Sequence, residues 1–214
     1  MEDLFSTFFD AADHVADLLE DAETAKRWDD PSALRGVSVG GLAAHLMQGV
    51  AYIHRLLDGP DADSDAPIVR LGEYVASFKM EAFDADIHRY IRDMAESSAA
   101  HGPEATMGRF RELVATLRDR LRTESGRRLL DMRPTLPWGA SLEDRLRLNM
   151  MDLVVHADDL AVSLGRSGSE APGAASSVAI DALMAAARFQ HGDTAVIRAL
   201  SRRERSAEGV FPVL

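Results

Sequence analysis

Arg147-Leu-Asn-Met-Met-Asp152-Leu-Val-Val-His156-Ala-Asp-Asp159-Leu160 is the stretch on which the reading of this chain turns. It reads as a helix that is apolar almost everywhere except at Asp152 and His156. Residues four apart on a helix stack on one face, with Cβ atoms about 5–6 Å apart. A carboxylate and an imidazole at that spacing can grip one divalent ion. A second lone histidine, His45, lies in another apolar helical run, Gly40-Gly-Leu-Ala-Ala-His45-Leu-Met-Gln-Gly49. If the two helices pack face to face, His45, Asp152 and His156 make a three-ligand site with an open position, the arrangement of a catalytic rather than a structural metal.

Each of these residues also has a plainer reading. A histidine on an apolar face is often a hydrogen-bonded core residue. Asp152 is harder to explain that way, because a buried carboxylate without a partner is costly. A salt bridge to Arg145 or Arg147, an ion pair with His156, or an outward rotation of the helix would each satisfy it. Asp159, three residues beyond His156, can accept the proton of a ligand histidine's other nitrogen, or can be a surface acid. Asp158 should be solvated. Gln48 and Tyr52 share the face of His45 and are the candidates for lining a cofactor pocket beside the ion, with ordinary packing as the alternative. His54 should face away from His45, and His14, His88, His101 and His191 have no partner at ligand spacing. Nothing in the pattern names a catalytic acid or base.

The chain has 214 residues, of which 46% are hydrophobic and 28% charged, and its formal net charge is −11. That length and balance fit one globular domain. The negative charge argues against a nucleic-acid surface, which needs clustered Lys and Arg. Arg198, Arg202, Arg203 and Arg205 make a small basic group, better read as helix-end charges or a contact between chains. No apolar run is long enough for a bilayer. The N-terminus lacks the basic start and apolar stretch of a signal peptide, so a cytoplasmic protein is expected. There is no cysteine, which excludes disulfides and thiolate zinc fingers and leaves His, Asp and Glu as the strong metal ligands. Thiol chemistry here would need its sulfur from a small molecule.

The periodicity predicts an all-α protein. Leu4, Phe8, Ala11, Val15, Leu18 and Ala22 mark the buried stripe of a helix over 3–27, ended at Trp28-Asp-Asp-Pro31. Ser38 is the expected N-cap of a helix over 38–57. Asp58 to Pro67 is an acidic loop without EF-hand spacing. One helix is expected over 71–99, with Ile87, Ile91 and Met94 inward and a weak middle at 81–86 that can kink. Another covers 104–124, with Phe110, Val114, Leu117 and Leu121 as its stripe. Arg133 to Gly139 reads as an irregular connector. Ser141-Leu-Glu-Asp144 resembles a capping box opening the helix of 141–164, and Gly165 is a natural C-cap. Helices over 174–189 and 194–203 follow. No convincing strand and no repeat is found. The division expected is a bundle over 1–165 and a helical extension over 166–214 packed on it, forming a single domain. Inward side chains on facing helices are where such bundles build metal and ligand sites.

At this point the residues resemble a known family, the mycothiol-dependent maleylpyruvate isomerases of the DinB-like four-helix-bundle superfamily. Ala43-Ala-His45-Leu46, Asp152-Leu-Val-Val-His156-Ala-Asp-Asp159-Leu160 and Gln190-His-Gly-Asp193 to Glu204 carry the likeness. The resemblance implies a DinB-like four-helix bundle with additional C-terminal helices, and a divalent metal, usually zinc, on His45, Asp152 and His156. The family's carboxylate is commonly glutamate. Asp152 is one methylene shorter, so that reaching a metal should need a helix shift or a bridging water. The enzyme that names the family also has a C-terminal α/β domain, which this chain is expected to lack. The implied activity is a metal-dependent enzyme using a small-molecule thiol of the mycothiol type for isomerisation, conjugation or transfer on an electrophilic substrate. Its partners would be that thiol and the substrate, with no nucleic acid or membrane, and a homodimer stays open. A metal-dependent hydrolase, a non-catalytic metal-binding or ligand-sensing bundle, and, more remotely, a helical transcription regulator are the competing readings.

Overall fold

The computed structural model describes residues 2–63, 65–77, 86–201, 204 and 210–212. In chain order the elements are α1 (Glu2–Leu19), α2 (Ala22–Lys26), α3 (Val39–Asp58), α4 (Leu71–Ala76), α5 (Asp86–Ala99), α6 (Pro103–Leu121), β1 (Leu129–Asp131), β2 (Gly139–Ser141), α7 (Leu142–Ser163), α8 (Gly173–His191) and α9 (Asp193–Ser201). Four long helices close a ring: α1 packs on α7, α7 on α3, α3 on α6, and α6 back on α1. This is the all-α architecture expected from the periodicity, and the four-helix bundle that the family resemblance implies, with the motif helix α7 and not the 71–99 segment as its fourth member. α5 lies outside α3, while α8 covers α7 and α4 and carries α9.

The stripes of α1 and α6 point where their spacing places them, but Ala22, expected to continue the first stripe, is exposed because the helix breaks before it. Phe8, Ala11, Val15 and Leu18 of α1, and Phe110, Val114, Leu117 and Leu121 of α6, are buried in one core with Leu42, Leu46, Val50 and Ile53 of α3. Burial of such side chains supplies the main force holding the bundle.

Several boundaries differ from the expectations. The helix over 3–27 is broken after Leu19. The Asp21 side chain accepts from the Glu23 N–H and Thr24 Oγ1 donates to the Leu18 carbonyl at 2.8 Å, so side chains compete with the ladder and start a new short helix. The helix over 71–99 is two helices, α4 and α5. The expected weak middle falls largely on residues outside the described ones, as do the side chain of Ile87 and Arg202, Arg203 and Arg205. Met94, expected inward, is 41% exposed; Ala95 and Ala99 take the buried positions of α5 instead. The connector before α7 is also more regular than its composition suggests. Leu129, Leu130 and Asp131 pair antiparallel with Ser141, Ala140 and Gly139. Each strand is only three residues long, too short to show an alternating pattern.

Candidate metal centre

His45 stands in the second turn of α3, and three contacts fix how that helix begins. The Ser38 hydroxyl accepts from the Gly41 N–H at 2.8 Å, as an N-cap should. The Glu96 carboxylate on α5 accepts from both the Ser38 N–H (2.7 Å) and its hydroxyl (2.9 Å). The Trp28 indole lies against Gly40, where a Cβ would meet Cε2 at 2.5 Å, and its Nε1 donates to the Ala99 carbonyl.

Asp152 and His156 lie midway along α7. Ser141 caps its start by accepting from the Asp144 N–H. At its end Gly165, at φ 80°, lets the Gly165 and Arg166 N–H groups reach back to the carbonyls of Val162 and Ala161, a Schellman ending.

The three side chains converge. Asp152 Oδ1 is 3.3 Å from His156 Nε2 and Asp152 Oδ2 is 3.6 Å from His45 Nε2. The two imidazoles meet edge to face with centroids 4.9 Å apart. One ligand atom from each residue can be chosen so that all lie within 4.8 Å of one another. Bonds of about 2.0–2.1 Å in a tetrahedron put neighbouring donors about 3.3–3.4 Å apart, so the donor set and its spacing suit a divalent ion. The side chains are 25%, 23% and 18% exposed for His45, Asp152 and His156, leaving one side of the cluster open to solvent. The shorter Asp152 lies between both rings with the helices where they stand. Its neighbour across the interface is Gly49, whose missing Cβ would sit 3.5 Å from Asp152 Oδ2 and 2.6 Å from Asn149 Nδ2.

Asp159 fixes the orientation of one imidazole. Its Oδ2 accepts from His156 Nδ1 at 2.9 Å, which leaves Nε2 directed at Asp152. Electrostatics bind the cluster tightly. Burial alone would raise the Asp152 carboxyl, but the His45 and His156 charges outweigh it and hold the group well below the usual carboxylate range. Burial alone would lower His156, but the Asp152 and then the Asp159 carboxylates raise it to about 10.

The alternative partners for Asp152 are engaged elsewhere. Arg147 pairs with Glu143 at 2.6 Å and Asp144 at 3.5 Å. Arg145 reaches the Tyr74 hydroxyl and the Gly49 carbonyl. Gln48 turns toward α5, donating to the Met94 carbonyl (3.0 Å) and the Ser98 hydroxyl (2.7 Å). Tyr52 lies under the guanidinium groups of Arg55 and Arg145, 4.4 and 4.8 Å from its ring centre. His54 bonds to the Leu113 carbonyl, His14 to Ser169 and His101 to the Ser98 carbonyl, all away from the triad.

The family model for the mycothiol maleylpyruvate isomerase N-terminal domain matches residues 8–161, most of the chain, including His45, Asp152, His156 and Asp159. The chain belongs to this family. The domain is DinB-like and helical, in keeping with the ring of α1, α3, α6 and α7. No curated protein and no solved structure matches the chain. Among the described residues no helix is long and apolar enough to cross a membrane. The sequence offered Arg145 only as a salt-bridge partner for Asp152 and passed over Asn149. Arg145, Asn149, Asp152 and His156 follow one another at intervals of four, three and four, so they form a polar stripe along one face of α7. That periodicity was the available signal.

Proposed function

We propose that this protein is a divalent-metal-dependent enzyme that uses a small-molecule thiol, of the mycothiol type its family name implies, for isomerisation, conjugation or transfer on an electrophilic substrate. The convergence of His45, Asp152 and His156 carries this reading. Two imidazoles and one carboxylate would hold the ion, with zinc favoured by the donor set. The chemistry such an ion would supply is to favour the thiolate form of a thiol substrate, which is the nucleophilic form. The rest is the chain's own work. Asp159 keeps the His156 ring in the tautomer that presents Nε2. Asp152 supplies the negative charge that offsets the cation. The partly exposed edges of His45 and Asp152 leave a way in.

Elemental analysis of the purified protein, then of His156→Ala, tests the metal. A full equivalent of zinc or a similar ion in the first and little in the second is the expected outcome. A thiol-conjugation assay on the metal-loaded protein, with mycothiol and with glutathione, then tests the chemistry. Absence of any metal uptake by the folded protein would sink the proposal.

A further inference from the structure

We propose that Tyr52, Arg145 and Asn149 form a carboxylate-binding subsite beside the His45–Asp152–His156 centre. Arg145 is 5% exposed and Asn149 1%. The Arg145 guanidinium donates to two neutral groups, the Tyr74 hydroxyl at 3.0 Å and the Gly49 carbonyl at 3.4 Å. Among the described residues no carboxylate pairs with it, and its Nε has no partner. The Tyr52 hydroxyl and both polar atoms of the Asn149 amide are buried and equally unpartnered. A buried cation without an ion-pair partner is costly, and orphaned polar groups in a folded core call for an explanation. Here they fall in one place. The Tyr52 ring lies under Arg145, Arg145 touches Gly49, and Gly49 packs directly on Asn149 and Asp152, where a Cβ would meet Asn149 Nδ2 at 2.6 Å and Asp152 Oδ2 at 3.5 Å. The row therefore runs from Tyr52 into the metal centre without a break.

Guanidinium N–H, phenol O–H and amide N–H groups are all donors, and a guanidinium takes a carboxylate by a planar fork. A single-charged planar acid balances one arginine. A phosphate dianion would leave a charge over and would face Asn149 Oδ1 and Asp152. The inference rests on the metal–thiol reading of the centre for its role: the carboxylate belongs either to the thiol or to the electrophile.

Cobalt-loaded protein, whose visible spectrum reports a bound sulfur, separates these. It is titrated with 2-mercaptoethanol, with 3-mercaptopropionate, and with succinate or succinamide in the presence of 2-mercaptoethanol. A preference of about tenfold or more for the acid over its neutral counterpart is expected, falling to near one in Arg145→Met. A preference between the two thiols assigns the carboxylate to the thiol; one between succinate and succinamide assigns it to the electrophile. Equal binding of acid and neutral ligands in both arms, or a preference that survives Arg145→Met, overturns the subsite. If Arg145→Met does not fold, Tyr52→Phe and Asn149→Ser decide, and an unchanged preference in both is equally fatal. If no thiol alters the cobalt spectrum, the metal–thiol reading fails by itself. The subsite is then judged by whether succinate, but not succinamide, raises the melting temperature of the wild type.

Discussion

At the scale of single residues, the triad sets the Asp152 carboxylate between two imidazoles, 3.3 Å from His156 Nε2 and 3.6 Å from His45 Nε2. His156 binds its proton up to about pH 10 in the metal-free protein, against an ordinary value of 6.5. A raised value in the folded state means that the pair with Asp152 contributes fully below about pH 6.5 and is lost as pH climbs to 10. Metal-free protein should therefore lose melting temperature across that window, while zinc-loaded protein holds its own. Zinc uptake near pH 7.5 should release protons, seen as a dependence of the calorimetric enthalpy on the buffer used. Asp159 acts one bond further out. Asp159→Ala should weaken zinc binding by about 10–100-fold, measured by competition with a chromophoric chelator, and leave the fold intact. The triad was legible in the sequence because its partners on α7 are four apart and because two polar residues stood in apolar helices. Arg145 and Asn149 were not, since an arginine on a helix normally finds a carboxylate, and only the packing shows that this one does not. Gln48 shares its helix face with His45, yet α5 lies within its reach and takes both of its donors.

At the scale of helices, the parts that periodicity could find were the long amphipathic ones, α1, α3, α6 and α7, with the caps at Ser38 and Ser141. What it could not find were features decided by local side-chain bonds or by contact with distant segments. Asp21 and Thr24 end α1 through two hydrogen bonds. The β1–β2 pair is held by register across a connector and has no pattern of its own. The packing of α4 on α8 depends on Gly72: a Cβ there would meet the Ala185 carbonyl oxygen at 2.5 Å and its carbon at 2.9 Å. Backbone cannot yield as a side-chain end does. Gly72→Ala should lower stability by about 1–3 kcal/mol, read from denaturant unfolding. Gly49→Ala, which meets the movable end of Asn149, should cost less.

At the scale of the whole molecule, the centre joins two helices far apart in the chain. α3 ends at Asp58 and α7 begins at Leu142, so an ion held by His45 and by Asp152 and His156 ties the second long helix of the ring to the last. Stripping the metal should lower the melting temperature by an amount that grows with zinc affinity; at a free zinc level 100 times the dissociation constant the stabilisation is about 2.7 kcal/mol. Thermal melts of chelator-treated and reloaded protein check this, and His45→Ala should behave like the stripped protein whether or not zinc is added. Gly49 and Asp152 face each other across the gap that such an ion would bridge. Gly49 has no β-carbon and Asp152 is the shorter of the two acidic side chains, so both walls of the gap are lean in bulk. Exchanging them together, Gly49→Ala with Asp152→Glu, should recover zinc affinity that either exchange alone forfeits, a non-additive pair in a double-mutant cycle. The width of the inter-helix gap, more than the identity of any one ligand, then sets which acid this bundle can use.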